Sequence, residues 1–194
     1  MPDHYSNPFH PASIESLSYI EHGDALSAVA ERLRARRYRG AICAPPGHGK
    51  SAMLQALGDQ LMEHGLTPMP LHLTPQERGR LPGTWIRIIR RARPADALLL
   101  DGYDLLPWWA RAWVLFASRR AGALVVTSER PVYVKTVARP TTSPALLRRL
   151  IDQLAPTVNG SIDTEQLYRE ARGNLSDALR RAYETYPTFN SNCA

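Results

Sequence analysis

Nine residues constrain this chain more than any other stretch. CAPPGHGKS, at 43–51, joins the apolar run YRGAICAP to KSAMLQALGDQLMEHG, where Leu54, Leu57 and Leu61 recur at helical spacing. A short buried strand therefore ends in a turn, and the turn opens a helix that Gly65 stops. Gly47 and Gly49 let the backbone turn tightly. Such a turn aims consecutive backbone N–H groups at one point, with the positive end of a helix dipole behind them. That concavity suits a phosphate group.

The stretch follows the spacing G-x-x-x-x-G-K-[ST] with one departure, Ala44 in place of the first glycine. Ala44 stands where the strand ends, so a methyl group is a small change. In this pattern Lys50 reaches the β- and γ-phosphates and the Ser51 hydroxyl ligates Mg²⁺. Pro46, Gly47, His48, Gly49, Lys50, Ser51 and Ala52 are the expected nucleotide-binding residues. Pro45 and Pro46 lack an N–H and sit at the loop's rising edge. His48 either titrates beside the phosphates or fills a variable position.

Helix and strand alternate along the rest of the chain. DALSAVAERLRARR places Leu26, Val29, Ala30 and Leu33 on one face, with Asp24 as its expected N-cap. PMPLHLT, DALLLD and ALVVTSE read as strands, and VYVKTVA as a weaker one. TPQERGRLPG is a polar loop. TWIRIIRRA and PWWARAWVLFASRRAG read as helices, the second opening on Pro107 and closing on Gly122. Strands apolar on both faces imply an α/β fold: a parallel β-sheet flanked by helices on both sides. Beyond residue 142 the pattern is helical only. Ser143-Pro144 starts one helix, Gly173 stops a second, and Pro187 is expected to stop a third.

The strand ends carry the remaining candidates. Asp101 closes DALLLD and is the expected second Mg²⁺ ligand. Gly102 follows it where a water-activating glutamate would stand, so Asp104, folded back through Gly102, and Glu129 are the candidate bases. Asp104 is equally readable as a turn residue. Thr127 or Ser128 is placed to bond the γ-phosphate or the attacking water, or simply to close a turn. Arg130, Arg119 and Arg120 are candidate charge-stabilising arginines, acting in cis or in a neighbouring subunit. Trp109, Trp113 and Phe116 are expected to face the sheet, with Trp108 exposed.

The chain has 194 residues, enough for a real core, and a formal charge of +6. Lys50 and Lys135 are the only lysines among 24 basic residues. The basic excess allows nucleic acid as a partner without requiring it. No apolar run is long enough for a membrane span and the N-terminus does not read as a signal peptide, so a soluble, cytoplasmic protein is expected. Cys43 and Cys193 suggest neither a disulfide framework nor a metal site.

APPGHGKS resembles the GPPGTGKS loop of the AAA+ ATPases, a class of P-loop NTPases, with Ala44 and His48 as departures. NPF at 7–9, followed by SYIEHGDALSAVAERL, resembles the leader of the secretion-associated and transposition-accessory AAA+ ATPases. The likeness runs over roughly residues 5–186. It implies a three-layer P-loop NTPase domain with its leader over 1–142, a small helical lid over 143–187 and a tail over 188–194. It places Tyr5, Pro8 or Phe9 near the adenine. The lid of such proteins often carries an arginine that senses the γ-phosphate. Here GNLS puts Ser176 in that slot, leaving Arg172 or Arg180 as substitutes. The expectation is an ATP- and Mg²⁺-binding ATPase or ATP-driven switch, acting as a homo-oligomer or with a separate partner, DNA being one candidate. The alternatives are a non-hydrolysing nucleotide-gated scaffold and a small-molecule kinase whose acceptor loop would be 74–83.

Overall fold

DALLLD carries apolar residues on both faces, Leu98 and Leu100 on one and Ala97 and Leu99 on the other, and a strand of that kind needs cover on both sides. The computed structural model, which describes residues 9–10, 20, 25–156 and 162–191, supplies it. Asp96–Asp101 is β3 of a five-stranded sheet ordered β2-β3-β4-β1-β5. The other strands are β1 Arg39–Cys43, β2 Thr67–His72, β4 Ala123–Ser128 and β5 Thr136–Ala138. Every pairing is parallel.

The two faces of β3 show how the layers form. Leu98 and Leu100 join a core with Trp85 and Ile89 of α3 (Gly83–Arg91) and Ala110 and Val114 of α4 (Trp108–Ala117). Leu99 lies against α2 (Lys50–Glu63) on the opposite face, so close that a Cβ on Gly58 would stand 2.7 Å from its Cδ1. Burying each such leucine contributes roughly 1.5–3 kcal/mol. α1, Leu26–Arg34, buries Val29 and Leu33 beside β1 and β5. The α/β, parallel-sheet, helix-flanked architecture agrees with the expectation. Tyr5, Pro8, Asp24 and Cys193 lie outside the described residues, and Ala25 occupies the N-cap position of α1.

The chain divides into two compact units. Gly23–Ala44 and Lys50–Pro140 form the sheet unit; Met1–His22, Pro45–Gly49 and Thr141–Ala194 form the other. The second unit holds α5 (Pro144–Leu154), α6 (Thr164–Glu170) and α7 (Leu175–Ser191). Each has a side-chain cap. The hydroxyl of Ser143 accepts from Leu146 N, Asp163 Oδ1 from Gln166 N and Asn174 Oδ1 from Asp177 N. Leu147, Ile151, Ala178, Leu179 and Ala182 bury the apolar faces of α5 and α7 together with Phe9.

Three elements depart from expectation. Trp109 and Phe116 do not pack on the sheet, being 51% and 67% exposed, and Trp113 is only partly buried. Ala110 and Val114 take that face, because small side chains let the helix approach the sheet closely. Trp108 is exposed, as expected. VYVKTVA yields only the three-residue β5, whose register slips between Ala41 and Ile42 of β1. α7 runs through Pro187 to Ser191, tolerating the missing N–H that was expected to end it.

Gly122 leads into β4 where backbone passes very close: a Cβ there would fall upon the carbonyl oxygen of Pro94. Backbone cannot step aside as a side chain can. Gly122→Ala should therefore cost about 1–3 kcal/mol. That lowers the melting midpoint by roughly 2–4 °C per kcal/mol in a chain of this size. A thermal melt indistinguishable from wild type would contradict this packing.

Candidate functional site

The chain leaves the sheet on different sides around β1. The helix after β1, α2, covers one face, while those after β2 and β3, α3 and α4, cover the other. In open parallel sheets a crevice forms outside the carboxyl ends of the strands at such a switch. Lys50, Asp101 and Ser128 all stand at that edge, at the start of α2 or the ends of β3 and β4.

The turn after β1 explains its own residues. Gly47 and Gly49 have φ of +71° and +73°, where side chains other than glycine's are strained. Ala44 has no positive φ and is almost fully buried, so alanine meets no backbone penalty there. A Cβ on Gly49 would meet open space, and backbone conformation alone asks for glycine. Gly47 has a second reason. Within the helical unit, the Asn174 side chain occupies the place a Cβ would take, and Leu175 N donates to the Gly47 carbonyl at 3.2 Å. His48 Nδ1 lies 3.0 Å from the Pro46 carbonyl. Ser51 is exposed on the first turn of α2, followed by the half-buried Ala52.

Lys50 donates from Nζ to the Ala44 carbonyl at 2.8 Å. Partial burial lowers the pKa of its ammonium, and the carboxylates of Glu129, Asp104 and Asp101 act against that shift. Lys50 is thus a cation drawn partly out of water among three carboxylates of the strand ends.

Asp101 is the best-supported side chain at this edge. Its Oδ2 lies 3.0 Å from His72 Nδ1, and its Oδ1 accepts from the Thr127 hydroxyl. Thr127 is 1% exposed and also accepts from Gly102 N at 2.9 Å. Register places His72 there, since it is the Cα partner of Asp101 across β2 and β3. His72 was not singled out from sequence. Its only signal is that it is a histidine within the stretch PMPLHLT, of which β2 takes the part up to His72.

Gly102 has φ +80°, and a Cβ on it would stand 2.8 Å from the Leu73 carbonyl. The chain therefore turns at this glycine into a short 3₁₀ turn, Tyr103–Leu105. Tyr103 anchors that turn: its hydroxyl donates to the Arg111 carbonyl at 3.0 Å, and burial raises its pKa to about 12. Asp104 swings back to β4, where its Oδ2 accepts from Glu129 N at 3.3 Å. Asp104 and Glu129 thus stand side by side, Glu129 exposed. Ser128 is fully buried; its hydroxyl donates to the Arg130 carbonyl at 2.6 Å and accepts from Arg130 N. The Arg130 side chain is exposed.

Other candidates fall elsewhere. Arg119 and Arg120 precede β4. A six-residue strand, about 20 Å long, separates them from the edge that carries Asp101. They cannot serve that edge in cis. In the helical unit Phe9 is fully buried in the core. Arg172 is exposed with φ +52° after α6, and Ser176 is exposed. Arg180 donates to Asp177 at 2.9 Å, and the hydrogen bonds from Arg180 and Arg181 hold the Asp177 carboxyl below its usual range.

A hydroxyl and a carboxylate are hard oxygen donors of the kind Mg²⁺ takes alongside waters and phosphate oxygens. Ser51, exposed, and Asp101, whose oxygens keep lone pairs beyond those given to His72 and Thr127, fit that role. Among the described residues no group of three or more His, Cys, Asp or Glu side chains could hold a metal by itself. Nor is any described helix long and apolar enough to cross a membrane. No protein-family model matches the chain, and no curated protein matches it.

Thr127→Val keeps the shape of the side chain and removes the hydroxyl that joins Asp101 to Gly102. The buried partners left unsatisfied should cost about 1–3 kcal/mol, read by denaturant unfolding. A variant as stable as wild type would show that this network carries no weight.

Proposed function

We propose that this chain binds a Mg²⁺-nucleoside triphosphate, ATP in the first instance, as an ATPase or ATP-driven switch of the AAA+-like class. One observation carries the reading. A turn with two obligatory glycines connects β1 to the helix that opens with Lys50 and Ser51, and a supported aspartate ends a strand at the same edge of the sheet. The backbone N–H groups of Gly47, His48 and Gly49, with the start of α2, would cradle the phosphates. Lys50 would neutralise their charge. Ser51 and Asp101 would hold Mg²⁺, which when bound supplies charge neutralisation at the phosphate oxygens.

Hydrolysis requires water to attack the γ-phosphorus as the bond to the bridging oxygen breaks, releasing ADP and phosphate. A residue must take the water's proton. Asp104 and Glu129, brought together by the turn at Gly102, are the two carboxylates available to do so. Asp104 also accepts from Glu129 N, which ties its carboxylate to β4 and favours slow turnover or turnover completed by a partner. The same tie favours a second reading, a switch that binds nucleotide without consuming it. Arg130, exposed at the end of β4, is available to a phosphate in this chain or in a neighbouring copy. A cytoplasmic location and a separate protein partner belong to the same proposal.

Phosphate release from Mg-ATP, followed across a series of protein concentrations with nucleotide affinity measured alongside, tests it. Lys50→Met should lose roughly 10- to 150-fold in affinity, the worth of a charged hydrogen bond to phosphate, and all turnover. Turnover per subunit that rises with concentration would mean that a neighbour completes the site. Binding without turnover would favour the passive switch. Unchanged affinity in Lys50→Met would overturn the assignment.

A further inference from the structure

In a parallel sheet every strand begins at one edge, here the edge opposite Lys50 and Asp101. Arg90, Arg91 and Arg93 lie at or just beyond the end of α3, and Arg119 and Arg120 just before β4. All five are exposed, and together they line one shallow depression in the sheet unit. Arg119 also lines a second depression, with Arg36 and Lys135, so the two share a wall. No carboxylate lines either one. Among the described residues none of these cations is in an ion pair.

Helix dipoles account for only part of this crowd: Arg90 and Arg91 stand in the last turn of α3, and Arg119 and Arg120 in the 3₁₀ turn that follows α4. A dipole favours a cation within the last helical turn, and Arg36, Arg93 and Lys135 all lie beyond the helices. The cations also press on one another. Arg39 is half-buried, donating to the Ser118 and Ala121 carbonyls, and its pKa is lowered first by burial and then by Arg119. Two large aromatics stand out in the water among them. Tyr133, 93% exposed, lines the second depression, and Phe116, 67% exposed, carries the Arg119 guanidinium 5.0 Å above its ring.

We propose that this edge binds single-stranded nucleic acid. Guanidinium groups pair with successive phosphates through their planar forks, while Tyr133 and Phe116 offer flat faces to unpaired bases. Cations tracking a backbone beside sequence-tolerant aromatic platforms are what a single strand needs. A duplex hides its base faces and would leave the two aromatics without a role. This surface is independent of the nucleotide reading, and its test needs no ATP.

The test is fluorescence anisotropy of the full chain with labelled oligothymidylate and oligouridylate of about twenty nucleotides, long enough for one or more binding footprints. A duplex of the same length and phosphatidylserine vesicles run beside them. At least one strand should bind, with log affinity falling against log salt at a slope of about −0.7 per phosphate engaged. The DNA and RNA arms identify the source of the strand, and binding of either supports the proposal. Tyr133→Ala with Phe116→Ala, both at exposed positions, should weaken binding roughly tenfold or more, as lost stacking does, and leave the salt slope unchanged. Arg91→Glu with Arg120→Glu should weaken binding and flatten the slope, with an unaltered melt. Three results would each overturn the proposal: no strand binding at low salt, equal affinity for duplex with no effect of the aromatic pair, or tighter binding to vesicles than to either strand.

Discussion

Parallel strands all point one way, and that constraint sorts the chemistry of this chain. Because β1 to β5 share a direction, every strand end gathers at one edge of the sheet and every strand start at the other. The ends carry Asp101, Thr127 and His72, with Asp104, Glu129 and Lys50 just beyond. The starts of β1, β3 and β4 are preceded by arginines, and that of β5 by Lys135. Neither grouping is visible as a cluster along the sequence. The sheet makes both, and leucines on both faces of β3 compel the sheet.

At the edge of strand ends, burial and hydrogen bonding set the geometry. Even a partly buried carboxylate without partners is costly. Asp101 avoids that cost by accepting from Thr127 and pairing with His72. Thr127 in turn accepts from Gly102 N, at the point where the chain must turn to bring Asp104 back. One hydroxyl thus supports both the candidate metal ligand and the turn that positions a candidate base. The protein's own hydrogen bonds hold this arrangement, which is how a binding site limits the cost of ordering when a ligand arrives.

Much of this was legible in the sequence, for local reasons. The glycines of the turn, the apolar run of β3, Asp101 at its end and the Ser143-Pro144 start of α5 each announce themselves within a few residues. What was hidden depends on partners distant in sequence. His72 meets Asp101 only through the register of β2 against β3. The choice of Ala110 and Val114 over Trp109 and Phe116 for the inner face of α4 is made by how closely helix and sheet approach. Periodicity points to the large aromatic stripe and carries no information about that distance. Pro187 reads as a stop on local grounds, yet α7 continues past it.

The central claim is that the turn at 43–51 recognises phosphates. The most direct measurement is a calorimetric comparison of ATP, ADP and AMP binding to the wild-type chain in the presence of Mg²⁺. A phosphate cradle predicts that ATP and ADP bind with comparable affinity and that AMP, which lacks the β-phosphate, binds at least about tenfold more weakly, a loss of about 1.4 kcal/mol. Equal affinity for all three, or no binding of any, would contradict the account.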